Sequence, residues 1–310
     1  MQWYTGPTWT ISIDTTGEEY VFGSEQTARW FQECRTTRRL ISGSRPTDNG
    51  NFFMTDAERD EVLAREPGLA KFIRQVYGAK EFIQNIKRYC FWLVDATPAD
   101  IKRSKILYER VSRVKEFRLA STDKKTRKDA EIPSLFQEIR QPTTDYLLIP
   151  CHSSKERMYI PIGYVPADVI ITNAVFSLQH ATLYHFGILT SSVHMGWTRR
   201  VCGRLRNDYR YSIKIVYNNF IWPLADPWQV KRICSTAQRI LDVRAKYPSS
   251  SYADLYDEVS MPKDLRDAHR ANDDAVLEAY GLPKNMEEAK IVDHMFRLMC
   301  QAAGEEYPES

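Results

Sequence analysis

Up to about residue 222 the apolar positions fall in short runs divided by turn residues, and beyond it they settle into a helical period. Near the N-terminus, Trp9–Ile13 and Tyr20–Phe22 read as strands between Gly- and Thr-rich turns. The segment SGSRPTDNGN (42–51) is dense in Gly, Pro, Asn and Asp, so it predicts a loop with a fixed backbone path. Thr55 with Glu58 three residues on is a capping box, and Val62 and Leu63 supply the apolar face of a helix that stops near Pro67. YCFWLVDA (89–96) is a near-continuous aromatic and β-branched run, the pattern of a strand buried on both faces. Pro98 opens a long helix whose inward stripe is Ile106, Leu107, Val111, Val114, Phe117 and Leu119.

DYLLIPCHSS and RMYIPIGYVPADVIITN, within 145–173, predict strands with Pro150, Pro161 and Pro166 at ends or edges. The segment 189–212 reads as a helix capped by Thr190, Ser191 or Ser192. On it Trp197, Val201 and Leu205 form one apolar face, Arg200 and Arg204 flank that face, and Arg199 and Arg206 point away from it. IVYNNFIWP (215–223) predicts an apolar strand. Asp226-Pro227 is an N-cap and first-turn pair, followed by Val230, Ile233, Ala237, Ile240 and Leu241 on one face. A second helix follows Met261-Pro262 and closes at Gly281, and a third starts at Asn285 and buries Ile291, Met295, Leu298 and Met299. The fold class is therefore α+β: a mixed α/β body over 41–224, an all-helical region over 225–310, and residues 1–40 without an assigned role.

Composition adds little to that picture, but charge distribution changes it. The 310 residues are 43% hydrophobic and 27% charged, a globular balance, and no run of about 18 uninterrupted apolar residues predicts a membrane span. The six cysteines have neither CxxC pairing nor zinc-ligand spacing, which predicts reduced, packed thiols and a cytoplasmic protein. Net charge is only +3, yet 101–128 hold eleven basic against three acidic residues (net +8), 199–214 six against one (net +5), and 250–310 six against fourteen (net −8). Two basic blocks in mid-chain suggest a footprint for a polyanion; taken singly, each also suits a solvated helix face.

The signatures of dinucleotide, P-loop, hydrolase-elbow and zincin sites are all missing. His180, His185 and His194 lack helical i, i+4 spacing and acidic neighbours, so they read as structural, with no metal expected. Cys202 lies among arginines without a base nearby and reads as packed, and the nuclease-like trio Asp273, Glu288 and Lys290 falls on capped helices. What remains is the arginine-rich segment 189–212. Its guanidinium groups suit base edges or phosphates, while Asn218 and Asn219 suit either adenine edges or a turn.

Together GSRPTDNGN (43–51), FIRQVYGAKEFI (72–83), RYCFWLVDATP (88–98), VKEFRLAST (114–122), PSLFQEIRQPTTDYLLIP (133–150), YIPIGYVPADVI (159–170), ATLYHFGILTSSVHMGWTRRVCGRL (181–205), YRYSIKIVYNNFIWP (209–223) and LYDEVSMPKDLRDAHRANDDAVLEAYG (255–281) carry a resemblance. In order and spacing, over roughly 41–301, the chain resembles the C-terminal part of MmeI-like restriction-modification enzymes, types IIG and IIL. The resemblance implies a target recognition domain over 41–224 and a C-terminal helical domain over 225–310, binding double-stranded DNA beside the methyltransferase region of a bacterial parent. It implies S-adenosylmethionine and adenine-N6 methylation in that parent, but no cofactor here: the glycine loop is missing, and Asn219 precedes Phe-Ile rather than the Pro-Pro of the [ND]PP[YF] motif. Mapped from the family, Thr198, Arg199, Arg200 and Arg204 become base-contact candidates. Arg45, Lys80, Arg140, Lys155, Arg157, Arg206 and Arg210 become backbone-contact candidates.

Two other classes compete with DNA recognition. A complete small methyltransferase requires the motifs that are missing. A helical scaffold docking onto the methyltransferase part or a partner subunit, without DNA binding of its own, requires only residues 226–301.

Overall fold

The computed structural model describes residues 10–13, 19–22, 38–304 and 307; Cys34 and Arg35 lie outside the described residues. In chain order the elements are β1 (Thr10–Ile13), β2 (Glu19–Phe22), β3 (Leu40–Ser42), β4 (Phe53–Thr55), α1 (Asp56–Arg65), β5 (Ile73–Tyr77), α2 (Ala79–Gln84) and β6 (Arg88–Phe91). There follow α3 (Pro98–Arg103), α4 (Lys105–Leu119), α5 (Lys124–Lys128), β7 (Tyr146–Pro150), β8 (His152–Ser153), β9 (Gly163–Val165), β10 (Ile170–Ile171), β11 (Val175–Gln179), α6 (Leu183–Leu189) and α7 (Ser192–Val201). The last are β12 (Gly203–Leu205), β13 (Asp208–Arg210), α8 (Pro227–Arg244), α9 (Tyr252–Leu255), α10 (Lys263–Ala279) and α11 (Glu288–Ala303). The α+β expectation holds, with helices alone after β13. Among the described residues no helix is long and apolar enough to cross a membrane.

Contacts divide the chain into two units built from alternating stretches: Ile41–Leu148 with Tyr164–Ser177, and Met1–Leu40 with Ile149–Gly163 and Leu178–Ser310. In the first, a sheet of order β10-β5-β6-β4 is antiparallel except for the β10–β5 edge. Another four-stranded sheet has the order β3-β11-β7-β9. Phe52, Met54, Phe72, Val76, Cys90 and Phe91 join Ile106, Leu107, Val111 and Val114 of α4 in one core. The Thr55–Glu58 capping box starts α1 as the sequence predicts. The strand expected over 89–96 is shorter, because the Trp92 amide donates to Phe72 O and the Ala96 amide closes a turn on Leu93 O.

The long helix expected from Pro98 is three helices. Ser104 and Asp123 each adopt an extended backbone, and their side chains accept the amides of Leu107 and Thr126, restarting the chain at α4 and α5. Phe117 and Leu119 are exposed, while the position between them, Arg118, is 1% exposed. Its guanidinium donates to the carbonyls of Pro46, Thr47, Asp129, Ile132 and Leu135 at 2.7–3.2 Å. Asp48, itself buried, accepts the amides of Gly50 and Phe52, so the 42–51 loop is pinned from two sides while Thr47 and Asn49 hold positive φ. Where this loop leaves β3, a Cβ on Gly43 would lie 2.3 Å from Thr172 O, in the backbone of the neighbouring segment. Gly43→Ala is thus expected to cost about 2–3 kcal/mol in denaturant unfolding, since backbone atoms must move to relieve the clash; a change below about 0.5 kcal/mol would refute this close approach.

In the second unit, β1 and β2 pair antiparallel, Thr10 opposite Phe22. Asp226 and Pro227 start α8, whose buried residues are Ile233, Ala237, Ile240, Val243 and Arg244. Leu265, Ala268, Ala275 and Val276 are the buried apolar side of α10, which ends before Gly281 at φ +69°. The last helix begins at Glu288 rather than Asn285, which takes φ +55° instead of capping; Ile291 and Met295 are buried, Leu298 and Met299 only partly. The strand expected over 215–223 is instead a π-helical turn, Ile213–Tyr217, started by the Ser212 side chain. The Asn219 amide donates to the carbonyls of Lys214 and Ile215, so it serves that turn and is withdrawn from base edges.

Candidate nucleic-acid interface

The arginine-rich segment folds differently from the helix its period suggests. Helix α7 stops at Val201, and Gly203 begins a two-residue hairpin: Gly203 pairs with Arg210, Arg204 with Tyr209 and Leu205 with Asp208. Arg206 takes φ +56° in the turn, and β13 pairs on its other side with β8, Tyr209 opposite Ser153 and Arg210 opposite His152. A helix continued to Leu205 would bury that leucine; on the hairpin it is 55% exposed. Strand period puts Arg204 and Tyr209 on one face, and the ring of the buried Tyr209 carries the Arg204 guanidinium 4.4 Å from its centroid. Everything from Gly203 to Arg210 except Tyr209 is exposed.

This geometry re-sorts the residues expected at base edges. Thr198 is 0% exposed inside α7 and is removed from any surface role. Arg199 is committed to the protein: Nε donates to Tyr209 Oη at 3.3 Å, one terminal nitrogen to Met158 O at 2.6 Å, and the other pairs with Glu288. Arg204 donates to Arg199 O at 3.0 Å but keeps its head on the exposed ribbon. Arg200 is exposed on the rim of a groove of about 500 Å³ lined by Gly196, Val292 and Phe296. Among the described residues, no hydrogen bond or ion pair holds the side chains of Arg200, Arg206 or Arg210, all exposed. The N-terminus of α7 is closed to phosphate: Ser191 accepts the His194 amide, and Ser192 N–H donates to Asp273 Oδ1 at 2.7 Å.

Around the ribbon, Lys155 pairs with Glu156 at 3.3 Å while its carbonyl accepts from Tyr209. Arg157 is half-buried on Ser153 Oγ, and desolvation lowers its pKa against the opposing charges of Asp208 and Asp257. Of the backbone-contact candidates in this unit, Lys155, Arg206 and Arg210 stand open to solvent and Arg157 only partly. Burial pushes the Cys202 thiol up, so this cysteine is packed and unreactive. His194 is buried on Tyr211 Oη, and His185 closes the capping box with Thr182, both structural as expected. Among the described residues no group of three or more His, Cys, Asp and Glu is placed to hold a metal.

The other unit carries its own cationic cluster. An antiparallel bridge joins Arg45 to Glu138, and the Glu138 carboxylate meets Arg140 at 2.5 Å, Lys125 at 3.1 Å and Arg45 at 3.8 Å. Partial burial would raise that carboxyl's pKa, but Lys125, Arg140 and Arg45 outweigh it and hold it low, leaving three cations around one anion. Lys80 is exposed on α2 without a partner among the described residues. In the +8 block, three of the eleven cations bond backbone carbonyls. Besides Arg118, Arg110 donates to the carbonyls of Asn51 and Phe53, and Arg127 to those of Ser121 and Thr122. The hairpin itself had a signal in the sequence: Gly203 interrupts the helical period, and the polar–apolar alternation of Arg204, Leu205 and Arg206 leads into Asn207-Asp208.

The family model for the MmeI target recognition domain matches residues 28–224, and that for the MmeI C-terminal domain matches 225–304. DNA methyltransferase A of Bacillus subtilis (strain 168) is 36% identical over 242 residues, 78% of this chain and 27% of the relative. The solved structure of the type IIL restriction-modification enzyme MmeI in complex with DNA superposes with a TM-score of 0.85 at 40% identity, covering 87% of this chain and 36% of that one. The chain thus spans about a quarter to a third of the relatives it matches. Recognition-domain and C-terminal matches lie end to end over most of its length, and the chain belongs to the MmeI family.

Proposed function

We propose that this chain is the double-stranded DNA recognition part of a longer restriction-modification protein, and that the β12–β13 ribbon reads the duplex. The observation that carries the reading is the exposed ribbon itself, where the side chains of Arg206 and Arg210 have no hydrogen-bond or ion-pair partner among the described residues and Arg204 is braced on Tyr209. A B-form major groove about 12 Å wide admits a two-stranded ribbon, and arginine is matched to guanine O6 and N7. Arg200 and Lys155 beside the ribbon, and Arg45, Lys125, Arg140 and Lys80 in the other unit, supply phosphate contacts that position without reading sequence. The DNA-bound MmeI structure and the methyltransferase relative support the reading.

Methyl transfer to adenine N6 from S-adenosylmethionine belongs, in this proposal, to the methyltransferase region of the parent. The residues here do not fit the donor or the target amine, since Asn219 spends its amide on a turn and no glycine loop precedes it. The test is fluorescence anisotropy with a randomised duplex pool at about 50 and 200 mM salt, followed by sequencing of the retained duplexes. Arg206→Ala and Arg210→Ala are each expected to relax selection at one position by about 1–3 kcal/mol. Arg45→Ala is expected to weaken all sequences alike and to lower the salt slope by about one. No binding at low salt, or binding with no sequence retained, would refute independent recognition and favour the scaffold reading.

A further inference from the structure

We infer that Glu288, at the start of α11, positions the DNA-reading ribbon through Arg199. This rests on the ribbon reading above. Arg199 is a single planar group with its donors fixed in a fork. The fork joins three separate pieces of chain: Tyr209 of β13, the carbonyl of Met158 in the segment after β8, and the Glu288 carboxylate. Tyr209 passes the constraint on, because its hydroxyl donates to Lys155 O and its ring carries Arg204, which in turn donates to Arg199 O. Orientation of Arg199 therefore sets Tyr209, Arg204 and the Lys155 backbone together.

Glu288 is the partner that fixes this orientation. Among the described residues its charge is the one anion on the fork, and it lies on a helix whose buried Ile291 and Met295 hold it in place. Helix α11 reaches the fork because Gly196 of α7 leaves room: a Cβ there would lie 3.1 Å from Glu288 Cγ and 3.5 Å from Val292 Cγ2. Ion pairs as exposed as this one contribute little to global stability, so the pair's effect is local. Residue 288 falls in the stretch matched by the C-terminal family model and the ribbon in that of the recognition domain, so the pair ties the two sequence segments.

The experiment uses the full chain with Glu288→Gln, Arg199→Gln and the double variant, read by amide exchange of the 203–210 peptide and by duplex selection. Ribbon exchange is expected to quicken about five-fold in Glu288→Gln, with Tm unchanged, and Glu288→Gln is expected to add no further loss to Arg199→Gln in the double variant, as a pathway that runs through Arg199 requires. Glu288→Asp is expected to restore most of the protection. On DNA, removing an acid beside a polyanion would by simple charge tighten binding to every sequence; positioning instead lowers the ratio of selected to random duplex binding several-fold. Unchanged ribbon exchange in Glu288→Gln overturns the inference, as does full additivity of the two substitutions. A wild-type chain that selects no sequence refutes the DNA reading, while the exchange result still decides whether Glu288 holds the ribbon.

Discussion

Replacing Arg118 by alanine is expected to cost the unit containing Ile41–Leu148 at least about 4 kcal/mol, a large share of the roughly 5–15 kcal/mol that hold an ordinary domain folded. Five carbonyls share this one guanidinium, drawn from the 46–47 turn and the 129–135 segment, and each carbonyl that loses its buried donor costs about 1–3 kcal/mol unless water replaces it. The vacated volume adds to that loss. Arg118→Lys is expected to recover little, since an ammonium has three donors and no planar fork. Arg113→Ala, one turn earlier on the exposed side of α4, is expected to change stability by under about 0.5 kcal/mol. Denaturant unfolding followed through exchange of the Cys90 and Phe91 amides reads the comparison in the right unit, and a loss below about 1 kcal/mol for Arg118→Ala would refute the role. Arg45 stands on the loop that Arg118 pins, so the loss of DNA affinity in this variant is expected to follow the loss of fold.

Arg118 also shows where reading by sequence stops. The stripe Ile106, Leu107, Val111, Val114 is legible because helical period and burial agree in it. Continuing that stripe picks Phe117 and Leu119, but the chain buries the arginine between them because the loop turned toward it offers carbonyls rather than carbon. Charge counts cannot separate such a cation from Arg113. Caps were legible wherever a short polar side chain preceded an apolar period, as at Thr55 and Asp226. Where two periods competed, as over 189–212, the helical match of Trp197, Val201 and Leu205 masked a glycine that ends the helix. Arg204, Arg206 and Arg210 keep their exposed place on the hairpin, whereas Arg199 moves from base contact to bracket. That change depends on Met158 and Glu288, 41 and 89 residues away in sequence, which no local pattern reports.

The second large effect is on the pH profile of the unit holding α7 and α10. Asp273 is buried and accepts Tyr159 Oη at 2.5 Å and Ser192 N–H at 2.7 Å, and burial raises its pKa to about 7 against those bonds. His194 and His269 are buried as well; desolvation pulls the first down to about 3 and, with the Arg244 charge, the second well below its usual value. Between about pH 4 and 6.5 the unfolded chain carries protons on both histidines and the folded chain one on Asp273, so the unfolded state binds more and stability rises with pH. As pH rises toward 7 the unfolded histidines lose their protons while folded Asp273 still holds part of its own, so the numbers bound in the two states converge and the slope falls to about zero. Stability is thus expected to rise from about pH 4 and to level off near pH 7. Asp273→Asn is expected to steepen the rise, gaining about 2–3 kcal/mol on wild type between pH 5 and 8 in relative terms, because it has no carboxyl to hold a proton in the fold; its Oδ1 accepts Ser192 N–H and its Nδ2 donates to Tyr159 Oη. His194→Gln is expected to flatten part of the rise below pH 7. Thermal unfolding from pH 4.5 to 8.5 reads all three proteins, and an Asp273→Asn profile parallel to wild type between pH 5 and 7 would show that the carboxyl's pKa is not raised in the fold.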